Sequence, residues 1–188
     1  MGLEATALFL IRHAPVAAPG LAGRRDVPAA PPDPALAARL RAMIGPVDAV
    51  HVSPAQRARI TAEALFPGRG VVDPRLWEQD FGAWEGTVPP DLGPMSAADL
   101  ARHRPPGGES FADLCARMAP ALREAATGGR VAIVAHAGTV RGALALALDS
   151  AAAALAFEVA PLSVTLIRAL PVGDGLAWSV GWTNRIPE

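Results

Sequence analysis

The amino-acid sequence predicts an α/β fold in which helices pack around a largely parallel β-sheet. Short apolar runs, typical of buried strands, alternate with segments whose apolar residues recur at helical spacing. Alternation of this kind favours α/β layers around one sheet. Near the end of the chain, two apolar runs flank Gly173, Asp174 and Gly175, so we expect a hairpin that adds an antiparallel edge.

The predicted elements follow one another with short connections. Strands are expected at residues 7–11, 48–52, 71–72, 131–135, 162–170 and 176–183. Helices are expected at residues 34–44, 55–65, 109–126 and 138–148, and a short one after Ser96, which can cap it together with Asp99. Pro120 is expected to bend the 109–126 helix. No repeat or linker interrupts the chain, so we expect a single domain over residues 1–188.

Composition narrows the possible partners. The chain has 188 residues, 51% of them hydrophobic, and a net charge of −1, so neither nucleic acid nor a membrane surface is an expected partner. All 17 basic residues are arginine, which excludes Schiff-base chemistry and the lysine of a phosphate-binding P-loop. The first eleven residues lack a basic start and a cleavage site, so we expect a strand there and a cytoplasmic protein.

Cysteine and histidine usage predicts neither a disulfide nor a metal site. Cys115 is the only cysteine, and its helical context indicates a small core residue. The 4 histidines show no spacing typical of metal ligands, so we expect no metal and no cofactor. Of these histidines, His51 lies inside a predicted strand and is interpreted as structural.

Polar clusters follow three of the predicted strands. Arg12 and His13 follow the first, residues 53–57 follow the second, and His136 follows the strand at 131–135. Because ligands of open α/β sheets bind outside the carboxyl ends of the strands, these clusters are expected to meet in space.

The residue types in these clusters suit phosphate chemistry. Arginine presents a planar fork of donors that matches phosphate oxygens, and a neutral histidine can act as a covalent nucleophile. A carboxylic acid can protonate a leaving alkoxide. Together they form a phosphoryl-transfer site that needs no metal.

Five segments resemble the signatures of one family, in the family's order and across residues 10–141. They are Leu10–Ala14, Ser53–Ala62, Leu76–Gly86, Pro106–Ser110 and Val134–Arg141. These segments are similar to R-H-G, S-P-L-x-R-x-x-x-T-A, L-x-E-x-x-F-G-x-W-E-G, P-G-G-E-S and V-x-H-G-G-x-x-R of the histidine phosphatase superfamily, which includes the phosphoglycerate mutases. The resemblance implies a three-layer sandwich of the phosphoglycerate mutase type and a phosphoric monoester hydrolase.

The resemblance also implies a role for each matching position. His13 is expected to be the nucleophile that becomes a phosphohistidine, and Glu78 the proton donor. Arg12, Arg57 and His136 are expected to bind the phosphoryl oxygens. The neighbouring Arg59 is expected to face solvent.

Two acids compete with Glu78, and two alanines depart from the family pattern. Asp80 and Glu85 lie in the same loop as Glu78; we interpret Asp80 as solvated and Glu85 as a loop anchor. Ala14 and Ala137 replace glycines of the family pattern, and their methyl groups are expected to crowd the pocket or shift the backbone. His103 is interpreted as part of a solvated turn, with the mouth of the site as the alternative.

The substrate is predicted only by class. Glu85 and Glu109 are 24 positions apart, so the cover over the site is short, which favours hydrolysis over phosphoryl retention. Residues 15–28 resemble a loop of alpha-ribazole phosphatase-like proteins from cobalamin pathways. The expected substrate is therefore a small phosphorylated metabolite, with alpha-ribazole 5'-phosphate as one candidate. The alternatives are a phosphoglycerate mutase, a broad-specificity phosphatase or a catalytically poor phosphate-binding protein. The apolar final strands offer an edge for a homodimer.

Overall fold

A computed structural model describes residues 4–187 of the chain. Residues 1–3 and 188 of the expected single domain lie outside this range. The strands are Thr6–Arg12 (β1), Ala49–Val52 (β2), Gly70–Val72 (β3), Gly129–Ala135 (β4), Val164–Val172 (β5) and Gly175–Arg185 (β6). The helices are Pro34–Ile44 (α1), Gln56–Leu65 (α2), Ala97–Arg102 (α3), Phe111–Ala125 (α4), Ala137–Leu148 (α5) and Ala151–Ala154 (α6).

Within residues 4–187, the strands form one sheet of 6 in the order β3-β2-β4-β1-β5-β6. The pairs β3–β2, β2–β4 and β4–β1 are parallel, whereas β5 runs antiparallel to both β1 and β6. The expected mostly parallel sheet with an antiparallel edge is confirmed. The final hairpin turns at residues 173–174. Strand β5 lies two residues later than the expected 162–170, whereas β6 is longer than expected because its pairing with β5 continues to Arg185.

Alternating residues of the central strand β1 point to opposite faces of the sheet and divide the core in two. Leu8 and Leu10 pack in the cluster that contains side chains of α4 and α5. Phe9 and Ile11 pack in the cluster that contains side chains of α1 and α2. This period-2 division of a continuous apolar run produces the helix–sheet–helix layering.

Local capping sets the helix bounds, and it corrects one expectation. Helix α4 begins at Phe111 rather than at Glu109, because the Ser110 side chain caps the backbone of Asp113 and the Asp113 carboxylate accepts from Ser110 N. The helix is one element through Pro120. Short 3-10 turns at Pro74–Leu76 and Gly82–Trp84 lie in a stretch expected to be irregular. The sequence did not predict α6, which Ser150 caps.

Candidate active site

The carboxyl ends of β1, β2 and β4 meet at one edge of the sheet, where the predicted polar clusters lie. Arg12 is the last residue of β1, His136 occupies the N-cap position of α5 directly after β4, and Arg57 lies in the first turn of α2 after β2. A cavity of about 390 Å³ opens here, and its lining includes Arg12, His13, Arg57 and Glu78. Four of the five predicted site residues therefore share one cavity.

His13 is buried, and one ring nitrogen is fixed by the backbone. Its Nδ1 lies 2.7 Å from the carbonyl oxygen of Ala14. A carbonyl oxygen only accepts, so Nδ1 carries the proton in the neutral ring and Nε2 keeps its lone pair. Burial, together with the nearby Arg57 and Arg12, lowers the pKa of His13 to about 4, although the Ala14 contact acts in the opposite direction. The ring is therefore neutral at physiological pH.

The two predicted phosphate-binding arginines are held by backbone carbonyls. Arg12 Nη1 donates to Val159 O at 2.6 Å. Arg57 is fully buried, and its Nη1 and Nη2 donate to Arg25 O at 2.8 Å and Gly23 O at 2.7 Å. The Nε atoms of Arg12 and Arg57 are both buried, and neither has a hydrogen-bond partner within residues 4–187. These guanidinium groups place fixed positive charge beside a neutral histidine, an arrangement suited to an oxyanion.

His136 lies beside His13 rather than in the cavity wall. The ring centroids of the two histidines are 5.2 Å apart, and His136 Nε2 is hydrogen-bonded to Ser53 Oγ at 2.7 Å. Burial keeps the pKa of His136 well below its ordinary value. Its Nδ1 has no partner among the described residues. The expectation that His136 contacts phosphate stays a prediction, and this nitrogen is the atom available for it.

The Glu78 carboxylate lies against the start of α5. Its Oε1 accepts from Gln79 N at 3.0 Å and its Oε2 from Gly138 N at 3.3 Å. Burial raises the pKa of Glu78 above its ordinary value, although these backbone donors and the nearby Arg57 and Arg12 oppose the shift. A buried carboxyl group with a raised pKa can hold a proton for a leaving group.

Gly138 is a functional position that sequence reasoning did not single out. A Cβ atom there would overlap the Glu78 carboxylate and would lie 2.9 Å from Leu114 Cδ2. The carboxylate reaches its place only because residue 138 has no side chain. The single glycine of the Val134–Arg141 segment was the available signal.

The competing acids lie elsewhere. Neither Asp80 nor Glu85 is among the residues that line the cavity. Glu85 accepts from Arg24 N at 2.6 Å and Arg25 N at 3.0 Å, so the prediction of a loop anchor is confirmed. Asp80 is half-buried and accepts from Gly82 N at 2.8 Å, so its interpretation as simply solvated is wrong: the carboxylate caps a 3-10 turn.

Ala14 and Ala137 do not strain the site. Neither residue has a positive φ, the backbone region that would favour glycine. Ala14 is buried in the core cluster shared with α1 and α2, and its N–H donates to Thr61 Oγ1 at 3.0 Å. Ala137 lines the cavity as the first residue of α5. Neither position therefore has the left-handed backbone that favours glycine, while the expected crowding of the pocket by the Ala137 methyl group stays a prediction.

An ion pair that the sequence analysis overlooked holds the Glu78 segment. Arg117 donates from Nη2 and Nε to the two carboxylate oxygens of Glu109, at 2.5 and 3.2 Å. Arg117 also donates to the carbonyl oxygens of Arg75 at 2.6 Å and Trp77 at 3.2 Å. Glu109 Oε1 in turn accepts from Asp80 N at 3.1 Å. The pair therefore binds the backbone on both sides of Glu78.

The remaining histidine and cysteine expectations have mixed outcomes. His103 lines the cavity and stacks on Trp84, with ring centroids 5.3 Å apart and an angle of 14°, so its interpretation as a solvated turn is wrong. His51 lies within β2, Arg59 is exposed as expected, and Cys115 packs half-buried against the core. Burial raises the pKa of the Cys115 thiol to about 11, which makes it a poor nucleophile.

Among residues 4–187, no group of three or more His, Cys, Asp or Glu side chains is arranged to hold a metal ion. Over the same residues, no helix is long and apolar enough to cross a bilayer.

A second cavity of about 870 Å³ lies beside α2 and β3, away from His13 and Glu78.

A family model described as histidine phosphatase superfamily (branch 1) matches residues 8–177. The chain belongs to the histidine phosphatase superfamily. The expected superfamily is confirmed, and the expectation of a phosphoric monoester hydrolase fits it. The chain also resembles a bifunctional protein of Mycobacterium tuberculosis, with 35% identity over 126 residues. That match covers 59% of this chain and 34% of the relative, so the matched region is about a third of the relative's length.

Solved structures confirm the three-layer fold. A structure named mycobacterial hydrolase 2 superposes with a TM-score of 0.86 at 22% identity, covering 99% of this chain and 93% of that one. A mycobacterial glucosyl-3-phosphoglycerate phosphatase gives 0.80 at 22% identity, covering 95% and 98%. A putative alpha-ribazole-5'-P phosphatase from Escherichia coli K-12 gives 0.76 at 23% identity, covering 98% of each chain.

Proposed function

We propose that the chain is a metal-independent phosphomonoesterase that acts through a phosphohistidine at His13. The observation that carries this proposal is the Nδ1 contact of His13 with Ala14 O at 2.7 Å. That contact leaves Nε2 as the nucleophile of a ring whose pKa is about 4. Arg12 and Arg57 share the cavity with this ring, and so does Glu78, whose raised pKa suits a proton donor.

The first step transfers the phosphoryl group to the enzyme. His13 Nε2 attacks phosphorus in line, the bond between phosphorus and the leaving oxygen breaks, and Glu78 protonates that oxygen. Arg12 and Arg57 stabilise the charge on the equatorial oxygens. His136, whose ring centroid lies 5.2 Å from that of His13, binds a phosphoryl oxygen through its Nδ1.

The second step releases phosphate. Water attacks the phosphohistidine, Glu78 takes a proton from that water, and the bond between phosphorus and Nε2 breaks. His13 regains its lone pair and Glu78 its proton, so both return to their starting states.

The substrate is a small phosphorylated metabolite. Support for hydrolysis over mutase activity comes from the short cover between Glu85 and Glu109. Alpha-ribazole 5'-phosphate is one candidate, favoured by the resemblance of residues 15–28; a role in cobalamin biosynthesis would follow from it. A phosphoglycerate mutase and a broad-specificity phosphatase are the enzymatic alternatives. A binding protein with little catalysis is less well supported, because Ala14 and Ala137 have ordinary backbone angles.

The proposal extends to partners and location. The protein is proposed to be cytoplasmic and to bind neither nucleic acid nor a membrane. It is also proposed to form a homodimer through the edge strand β6. Measuring the mass of the purified chain in solution tests the dimer.

The decisive experiment is turnover of p-nitrophenyl phosphate by the purified chain, with and without a metal chelator. The proposal predicts equal turnover in both and none above background in His13→Ala. Phosphate binding without turnover would favour the alternative of a phosphate-binding protein over that of an enzyme. Loss of activity in the presence of the chelator would contradict the metal-independent mechanism. A panel of alpha-ribazole 5'-phosphate, phosphoglycerates and sugar phosphates then ranks the substrates.

A further inference from the structure

The cavity above His13 is chemically divided. Its inner end carries the polar groups proposed to act on phosphate. Beyond them the wall is apolar and includes Phe81, Trp84, Leu92, Leu100 and Leu155. Leu92 and Leu100 belong to the short cover between Glu85 and Glu109, Leu100 within α3, and Trp84 lies directly before this cover.

A stacked pair supplies a flat surface in this outer part. The rings of Trp84 and His103 are 5.3 Å apart and within 14° of parallel, and both residues line the cavity. Two anchors hold the pair in place: Trp84 closes a 3-10 turn by bonding to Phe81 O at 3.0 Å, and His103 N bonds to Leu100 O at 3.2 Å at the end of α3. The pair therefore presents a preorganised aromatic surface, which attracts another ring by offset stacking.

Charge is scarce in this outer part. Arg12, Arg57 and Arg141 are the arginines among the cavity-lining residues, and Glu78 is the acid. Arg12 and Arg57 are assigned to phosphate, and Arg141 Nε already donates to Phe157 O at 2.9 Å. Apart from Arg141, this outer part offers little to compensate a carboxylate or several hydroxyl groups on a leaving alcohol for their lost hydration. An uncharged ring would gain from the same surroundings.

Leu100 gives a second indication of an apolar ligand. Its side chain lies at the cavity mouth and is 42% exposed although it is a large aliphatic group. Exposed apolar side chains that line a cavity mark binding surfaces more often than isolated ones do. A bound ring would cover this side chain as it enters.

We propose that the alcohol of the natural substrate carries an uncharged, flat aromatic or heteroaromatic ring, which binds between Leu100 and the Trp84–His103 pair. This inference rests on the proposed phosphomonoesterase activity and names the substrate class for that same cavity. A volume of about 390 Å³ accommodates a phosphate and a ring system of drug-like size.

The test compares alkyl phosphates whose leaving oxygens are all alkoxides. The probes are 2-(1-naphthyl)ethyl phosphate, glycerol 3-phosphate and 3-phosphoglycerate. The proposal predicts a kcat/KM for the naphthyl ester at least about tenfold above that of either other probe, since one ring contact contributes roughly that factor. Equal values, or preference for 3-phosphoglycerate, would overturn the inference and leave the phosphatase proposal intact. No turnover of any probe or of p-nitrophenyl phosphate would instead refute the phosphatase proposal.

Variants separate the outer surface from the phosphate end. Leu100→Ser and His103→Ala are each expected to lower kcat/KM for the naphthyl ester about fivefold, with glycerol 3-phosphate turnover and inhibition by inorganic phosphate unchanged. His103→Phe should restore the rate because it keeps a flat ring. Leu148→Ser is the matched control, since Leu148 is also helical and is 41% exposed. Equal losses on both esters would overturn the assignment.

Discussion

The Nδ1 atom of His13 lies 2.7 Å from the carbonyl oxygen of Ala14, the next residue in the chain. This contact orients the ring and fixes its tautomer without any second side chain. The structure therefore assigns that task to the backbone at the end of β1, and the methyl group of Ala14 faces the core instead of the cavity.

The acid limb of the pH profile of kcat/KM should lie below the pH expected for an ordinary histidine. His13, with a pKa of about 4, stays neutral down to that pH, and the raised pKa of Glu78 keeps its proton above the ordinary carboxylate range. The rate should fall at low pH as His13 is protonated and at high pH as Glu78 loses its proton. A pH profile on one alkyl phosphate, repeated with Glu78→Gln, checks this: only the alkaline limb should disappear. An acid limb near 6.5, the ordinary value for histidine, would contradict the assignment.

Glu78→Gln should slow the turnover of a substrate to the extent that its leaving oxygen needs a proton. With an alkyl phosphate we expect a loss of roughly a hundredfold or more, and with p-nitrophenyl phosphate a much smaller one, because p-nitrophenolate leaves without a proton. Steady-state rates on both substrates test this. Asp80→Asn and Glu85→Gln are the comparisons, and a loss confined to alkyl esters in either of them would transfer the role from Glu78.

Gly138→Ala should damage catalysis while the fold is retained. The new methyl group would displace the Glu78 carboxylate, and a misplacement of about 1 Å can cost on the order of a hundredfold in rate. Turnover of an alkyl phosphate and thermal unfolding are the measurements. Gly175→Ala is the control, since a Cβ there meets only Val172 O at 3.9 Å. Normal turnover in Gly138→Ala would show that the close approach to Glu78 does not matter.

Arg117→Ala should release the segment that carries Glu78. Loss of the bonds to Glu109 and to the carbonyls of Arg75 and Trp77 is expected to lower kcat for alkyl phosphates about tenfold. The alkaline limb of the pH profile should move, whereas inhibition by inorganic phosphate should not, because Arg117 does not line the cavity. Arg123→Ala, an exposed position on the same helix, controls for lost charge. An unchanged pH profile would reduce Arg117 to a stabilising role.

Much of the fold and the inner site was predictable because local signals agreed with the global arrangement. The apolar run of β1 ends in Arg12 and His13, so the sheet itself carries these residues to its ligand-binding edge. The start of α4 was predicted less well. The capping pair of Ser110 and Asp113 makes the helix begin at Phe111, two residues after the predicted start.

What the sequence did not predict depends on contacts between distant segments. Gly138 and Glu78 are separated by 60 positions, and nothing local indicates that they touch. Trp84 lies in a 3-10 turn and His103 directly follows α3, so nothing local in the sequence indicated that their rings stack, and His103 was interpreted as solvated. Both features follow from tertiary packing: the first places the proposed proton donor, and the second forms the surface proposed to bind the ring of the substrate.

The central claim is the phosphohistidine at His13, and trapping it tests that claim most directly. The purified chain is mixed with a ³²P-labelled phosphomonoester, quenched in base, digested and mapped. The account predicts an acid-labile, base-stable label on the peptide that contains His13, stronger in Glu78→Gln if hydrolysis slows more than transfer, and absent in His13→Ala. A label elsewhere, or full turnover by His13→Ala, would contradict the account.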